Sequence, residues 1–322
     1  MVPALFSALD PAMTVSVIIP TVRPNTLGAT VASIRRQTYT ELEIIVVAQG
    51  SDPSLRGVTD ALAKSDPRIR IVWLEQGNLS AARNAGIAAG TGEILALTDD
   101  DCEADADWVE TMVKIFGERP EIGLMGGAVI APPARPFTIS TCPSAQVKEL
   151  SYQPSKSGWE APHGLYLIGA NMGLRRSVFE RVGPFDPSMG AGSGYPSCED
   201  VDYGLRCELA DVGILTSPRL VIRHTHGRRY GLRPFLKHHK NYAYGRGALV
   251  VKLRWMNHRL APVWGAPRTP RDHLASLVKN PAKWVLDDVY GRYFQRKAAA
   301  SFATEFELAK ECICVPRKGT TT

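Results

Sequence analysis

Three adjacent carboxylates, Asp99-Asp100-Asp101, follow an apolar run that ends at Thr98. Like charges this close repel, and hard oxygen ligands on a short loop suit Mg2+ or Mn2+ shared with substrate phosphates. The competing reading is a solvated acidic turn ahead of a helix capped by Asp107. A second acidic pair, Glu199-Asp200, follows the glycine-rich stretch 190–194 at the expected start of a helix. Carboxylates there favour the helix dipole, with Ser197 as the cap and Asp200 at the capping-box position. The same pair offers a general base on a rigid element, with the glycines letting a substrate approach the backbone. His224-Thr225-His226 closes a strand pattern. Residues i and i+2 of a strand share one side, so both imidazoles can face a single metal site, or they are two surface histidines in a basic stretch. Arg83 sits among small residues from Gly77 to Gly86. It can reach a diphosphate from a closely packed helix, or be one exposed arginine on it.

The elements that must position these groups alternate over the first hundred residues. Val15–Ile19 is an apolar run stopped by Pro20, Glu43–Ala48 and Ile69–Leu74 are two more, and Gly92 opens a fourth at Glu93–Thr98. Such short apolar runs bounded by turn residues predict buried strands. Between them lie helix patterns: one capped by Asn25 or Thr26, one over 54–64, and an Ala-rich one over 78–89. Strands separated by helices imply right-handed crossovers, a mostly parallel sheet, and a ligand site beyond the carboxyl ends of the strands. The loops Thr21–Pro24, Gln49–Asp52 and Asp99–Asp101 should therefore meet on one rim.

Beyond 106 the sequence predicts a helix marked by Trp108, Met112 and Ile115 or Phe116, then a strand over Ile122–Ile130. A Pro/Ser/Gly-rich excursion fills 131–164, of the kind that is functional when it interrupts a domain. A strand over Leu167–Leu174, a short helix to Val182, and a helix with the stripe Val201, Leu205, Leu209 and Val212 follow. A strand over Ile214–Ile222 comes next, and the remainder reads as basic helices with Pro/Trp-rich breaks at 261–270.

Composition narrows the function classes. The 322 residues are 44% hydrophobic and 22% charged, ordinary for a globular chain. No apolar run approaches the ~20 residues of a membrane span. The first twenty residues lack the basic start and cleavage site of a leader, so a cytoplasmic protein is expected, free or resting on the inner face of the membrane. Six cysteines suggest no disulfide scaffold, and Cys312 and Cys314 read as plain thiols near a frayed end. The net charge of +6 is uneven: residues 219–259 are dense in Arg and Lys and hold no carboxylate. This describes an acidic catalytic body with a basic, aromatic-rich extension rather than a nucleic-acid binder. There is no dinucleotide-binding glycine fingerprint after the first strand and no Walker-type spacing.

In order, VSVIIPTVRP, EIIVVAQGS, GNLSAARNAGIAAGTGEILALTDDDCEADADWVE, GANMGLRRSVFERVGPFD, CEDVDYGLRCELADVG and RHTHGRR resemble the inverting GT-A glycosyltransferases of family 2. The resemblance covers about residues 14–230. It implies an α/β, Rossmann-like, mostly parallel sheet flanked by helices, with a catalytic domain over 1–230 and a helical, basic extension over 231–322. It also implies transfer of a sugar, as in polysaccharide biosynthesis, from a nucleotide-diphospho-sugar to a hydroxyl of a glycan or lipid-linked acceptor, with Mn2+ or Mg2+. By position Thr21 and Arg23 are nucleoside contacts, and Arg83 lies near the base or diphosphate. Asp99 and Asp101 are the outer carboxylates of the DxD motif, flanking Asp100, with Asp101 the direct metal ligand. Asp200 is the general base beside Glu199, and His224 or His226 is a further metal or diphosphate ligand. The family often has Asp after the second strand where this chain has Ala48-Gln49, so Gln49 or Asp52 would meet the base. UDP is the default donor nucleotide, with dTDP and GDP open. The extension is expected to contact acceptor, membrane surface or a second copy in a homo-oligomer. Two other classes remain: a nucleotidyltransferase, which would want a glycine-rich phosphate loop and a lysine near the first strand, and a non-catalytic glycan- or nucleic-acid-binding protein.

Overall fold

The computed structural model describes residues 13–157, 167–261 and 285–317. Residues 1–12 of the N-terminal segment read for a leader, part of the 131–164 excursion and nearly all of the 261–270 breaks lie outside these residues. The alternation of apolar runs and helix patterns folds as β1 (Val15–Thr21), α1 (Pro24–Arg35), β2 (Leu42–Gln49), α2 (Pro53–Ser65), β3 (Ile69–Leu74), α3 (Leu79–Ala89) and β4 (Ile94–Thr98). There follow β5 (Cys102–Ala104), α4 (Trp108–Glu118), β6 (Ile122–Ile130), β7 (Ser140–Thr141), β8 (Leu150–Tyr152), α5 (Pro154–Ser157), β9 (Asn171–Arg175) and α6 (Arg176–Val182). The described remainder is α7 (Glu199–Leu209), β10 (Gly213–His224), β11 (Arg229–Tyr230), α8 (Leu232–Trp255), a π-helical turn at Val285–Gly291, α9 (Arg292–Glu305) and the hairpin β12 (Phe306–Leu308) and β13 (Cys314–Pro316).

The main sheet has nine strands in the order β3-β2-β1-β4-β9-β6-β10-β5, with β8 also on β10. Pairings β3/β2, β2/β1, β1/β4 and β6/β10 are parallel, whereas β9 runs antiparallel between β4 and β6. Helices cover both faces because residues alternate sides along each strand. Val17 and Ile19 join Leu27, Val31 and Trp108 in one core, and Ile18, Leu95 and Leu97 join Ala82, Phe185 and Tyr203 in the other.

Several local expectations change. Pro20 does not stop β1, which runs to Thr21 with Pro20 opposite Val47. Helix α1 starts on Pro24 without a side-chain cap from Asn25 or Thr26, since proline's fixed φ already suits the first helical position. Asp107 precedes α4 but makes no cap hydrogen bond. The strand expected from Leu167 begins only at Asn171. Ser197 does not cap α7 either: Cys198 occupies the cap position with a left-handed φ of 70°, and the Ser197 hydroxyl instead donates to the Asn241 carbonyl of α8 at 3.3 Å.

Helix α7 is buried on nearly all sides rather than along one stripe. Leu209 is exposed, while Tyr203 and Cys207 face the sheet and Leu205 faces α8. Its interior also holds ions. The Lys252 ammonium of α8, fully buried, lies 2.6 Å from Asp186 and 2.8 Å from Asp202. A third apolar core, including Met189, Tyr195, Ala248, Leu249 and Phe302, continues this contact between the body and α8–α9. The end of the described chain is anchored rather than frayed: Cys314 is buried in β13 and its N–H donates to Asp186 at 2.9 Å.

Candidate active site

A cleft of about 1200 Å³ opens at the carboxyl ends of β1, β2 and β4. It is lined by Thr21, Arg23, Gln49, Arg83, Asp99, Asp100, Asp101, Glu199, Asp200 and His224. Two sequence-predicted residues are not among them. Asp52 caps α2, accepting from the Ser54 N–H at 2.8 Å. His226 is exposed, because β10 ends at His224 and the i, i+2 geometry of a strand does not continue.

The acidic triplet is a turn between β4 and β5, and β5 pairs antiparallel with β10 so that Cys102 lies opposite His224. That pairing brings two distant motifs together. The Asp101 carbonyl accepts from the Thr225 N–H at 3.0 Å, and its carboxylate lies 3.6 Å from His224 Nδ1. Asp100 points inward, accepting from the Thr21 hydroxyl at 2.6 Å and from Arg23. Arg23 also donates to Asp101 at 2.8 Å. Burial opposes the Arg23 charge, but Asp100 and Asp101 outweigh it and hold the guanidinium above its ordinary value.

His224 is buried, and neither ring nitrogen has a hydrogen-bond partner. A buried imidazole left this way is costly unless something else uses it. Ligand atoms of Asp101, Cys102 and His224 lie within 4.8 Å of one another. The carboxylate oxygen and the imidazole nitrogen suit a divalent cation, while burial and the neighbouring carboxylates push the Cys102 thiol up and keep it protonated beside them. Sequence reasoning missed Cys102; its only signal was adjacency to Asp101.

Across the cleft, Arg83 is buried on α3 rather than exposed. It donates to Glu199 at 2.9 Å and lies 3.5 Å from Asp99. Burial and the neighbouring Asp200 push the Glu199 carboxyl up to about 7, against the opposing pull of Arg83. Burial likewise raises the half-buried Asp99, offset in part by Arg83. Asp200 is half-buried and accepts from the Gly169 N–H at 2.9 Å. Gly169 was also missed, although it opens the GANMG segment. A Cβ there would meet the Arg83 guanidinium at 2.3 Å, so only glycine lets backbone, Arg83 and Asp200 crowd together.

The glycine-rich loop before α7 packs against α3 instead of standing open. A Cβ on Gly192, at φ +91°, would meet the Gly77 carbonyl at 2.1 Å, and the Ser80 hydroxyl donates to Met189 at 2.8 Å. Gln49 accepts from the Asn78 N–H at 2.7 Å, which ties the end of β2 to the start of α3.

The family profile described as Glycosyl transferase family 2 matches residues 16–183, more than half of the sequence, a span that includes Thr21, Arg23, Arg83 and Asp99–Asp101. The chain belongs to glycosyl transferase family 2. Among curated relatives, a glucosyl-dolichyl phosphate glucuronosyltransferase of Haloferax volcanii is 28% identical over 192 residues, 55% of this chain and 58% of that protein. The chain thus aligns with little more than half of that relative's length. The glycosyltransferase AglE of the same organism is 28% identical over 252 residues, 77% of this chain and 76% of AglE. Among solved structures, the mannosyltransferase PcManGT of Pyrobaculum calidifontis, in complex with GDP-Man and Mn2+, superposes with a TM-score of 0.55 at 19% identity. That match covers 93% of this chain and 79% of PcManGT and shows the common GT-A fold.

Proposed function

We propose that this chain transfers a sugar from a nucleotide-diphospho-sugar to an acceptor hydroxyl with inversion at the anomeric carbon. The observation that carries the reading is the convergence of Asp99–Asp101, His224 and Arg83 with Glu199-Asp200 across one cleft. Thr21, Arg23 and Gln49 form the nucleoside end. Asp101 and His224, with Asp99 beside them, would hold Mn2+ or Mg2+, which supplies positive charge against the departing diphosphate. The structural relative binds GDP-Man with Mn2+. A guanine nucleotide therefore joins uridine as a leading donor candidate, with dTDP still open.

Asp200 is the base. Glu199 is committed to Arg83 and favours its protonated form up to about pH 7, whereas Asp200 lines the cleft with its carboxylate oriented by Gly169. Asp200 takes the proton of the acceptor hydroxyl as its oxygen bonds to the anomeric carbon. The anomeric bond to the diphosphate breaks on the opposite face, and the nucleoside diphosphate leaves. Donor binding and chemistry belong to residues 1–230, and acceptor contacts to 231–322.

The test is Asp200→Asn assayed with a panel of UDP-, GDP- and dTDP-sugars. Nucleotide binding should stay within about threefold of wild type while turnover falls at least about 10²-fold, the usual scale of a general base. Turnover equal to wild type refutes the assignment.

A further inference from the structure

The acidic and basic groups of the cleft are not equally satisfied. Four of its acids have a cation within the protein, Asp100 and Asp101 in Arg23, Asp99 and Glu199 in Arg83, while Asp200 is held only by backbone N–H groups among the described residues. The wall built by β11 and α8 is different. Arg229, Arg233, Lys237 and Arg246 all line the cleft, and none has an anionic partner among the described residues. No Asp or Glu occurs between Asp211 and Asp272, so neighbours in sequence cannot neutralise them. Arg233, Lys237 and Asn241 succeed one another at i, i+4 and i+8, a single stripe of α8, and Tyr242 and Arg246 form the adjacent one. Arg233 and Lys237 are exposed to the cleft.

The position of this wall is fixed next to the proposed base. Ser197, three residues before Asp200, bonds to the Asn241 carbonyl, and a Cβ on Gly245 would meet the Ser197 hydroxyl at 2.0 Å. Tyr242, on the same helix, lines the cleft together with Glu199 and Asp200, where the basic wall meets the carboxylate pair. Burial, then Arg229 and His239, push His238 down to about 4, so it stays neutral in a positive field. These cations line the same cleft as the carboxylate pair, and the ligand they suit is an anion.

We infer that the α8 face is a phosphate subsite for the acceptor. Resting on the sugar-transfer reading above, it takes an acceptor whose attacking hydroxyl lies near a phosphate or diphosphate ester. Arg233, Lys237 and Arg246 hold that anion, and Asp200 meets the hydroxyl. The phosphate can come from a soluble sugar phosphate or a polyprenyl phosphate, and the shared recognition is of the phosphoryl oxygens by guanidinium and ammonium.

The experiment is calorimetric titration of the protein, with and without a bound nucleoside diphosphate and Mn2+. The probes are glucose 1-phosphate and geranyl phosphate, with glucose and geraniol as uncharged controls. At least one phosphate should bind and the controls should not; which phosphate binds tighter identifies the source. Arg233→Gln with Lys237→Gln should weaken that binding at least about tenfold, ~1.4 kcal/mol, while nucleotide affinity stays within about twofold. The charge-retaining pair Arg233→Lys with Lys237→Arg should restore it. Three results overturn the subsite: neither phosphate binds, both bind the glutamine variant equally well, or nucleotide affinity falls in step because the face serves the donor. Sedimentation with phosphatidylglycerol vesicles in the absence of geranyl phosphate binding also overturns it, in favour of a membrane-facing surface. If no nucleoside diphosphate binds, the sugar-transfer reading fails separately, and the titration of the free protein still decides the subsite.

Discussion

Lys252→Met isolates the contact that joins the C-terminal helices to the helix carrying Glu199-Asp200. Lys252 is fully buried, 2.6 Å from Asp186 and 2.8 Å from Asp202. Removing one partner of a buried ion pair costs about 3–5 kcal/mol, because the other charge is left without compensation. Here part of that is retained. Asp202 keeps Arg206 at 3.1 Å, and Asp186 keeps the N–H groups of Ser188 and Cys314, each at 2.9 Å. The lower end applies, about 3 kcal/mol, or roughly 10²-fold in the folding equilibrium. Burial pushes the Asp186 carboxyl up, but the charge and hydrogen bond of Lys252 more than reverse it and hold it below its usual value. That contribution is present above the unfolded carboxyl pKa and is lost as pH falls through the lower folded one. Without Lys252 the buried carboxylates take up protons more readily, so the deficit of the variant should narrow as pH falls from 7 toward ~4. Urea unfolding followed by circular dichroism at several pH values measures both effects. A variant within about 1 kcal/mol of wild type at pH 7, or a deficit that does not change with pH, refutes the reasoning.

Two further perturbations probe the cleft. Asp101→Ala removes the oxygen proposed to hold the metal with His224 and should weaken Mn2+-dependent nucleotide binding by more than about tenfold; unchanged Mn2+ dependence in calorimetry counts against it. Glu199 has its carboxyl raised to about 7, so wild type loses stability as pH rises from the unfolded carboxyl value through 7. Glu199→Gln has no such ionisation and should become more stable relative to wild type between pH 5 and pH 8, as read by thermal unfolding; a constant difference contradicts the assigned shift.

The first half of the sheet was legible because β1, β2 and β4 are buried on both faces, which leaves continuous apolar runs punctuated by turn residues. The rim followed from that order, since parallel strands must end on the same side. Strand β9 was harder to bound: it enters antiparallel between β4 and β6, and its Asn171 serves tertiary contacts, accepting from Trp108 and donating to the Ala128 and Leu220 carbonyls. Helix α7 misled because its polar positions are buried ion pairs rather than a solvated face. The same holds for Arg83, whose exposed or buried state depends on Glu199, a residue 116 positions away. His226 was placed by the i, i+2 spacing of a strand and Asp52 by the resemblance, and local structure (the end of a strand, a helix cap) claims them first. The β12–β13 hairpin went unread because its strands are three residues each, too short for a period to show.

The central claim is that the Asp99–Asp101 rim holds a nucleoside diphosphate through a divalent cation. It is tested most directly by calorimetry with UDP, dTDP, GDP and ADP, each with Mn2+ and again with EDTA. Binding of one of them that EDTA abolishes is the predicted result. Binding that survives EDTA, or no binding to any of the four, contradicts it.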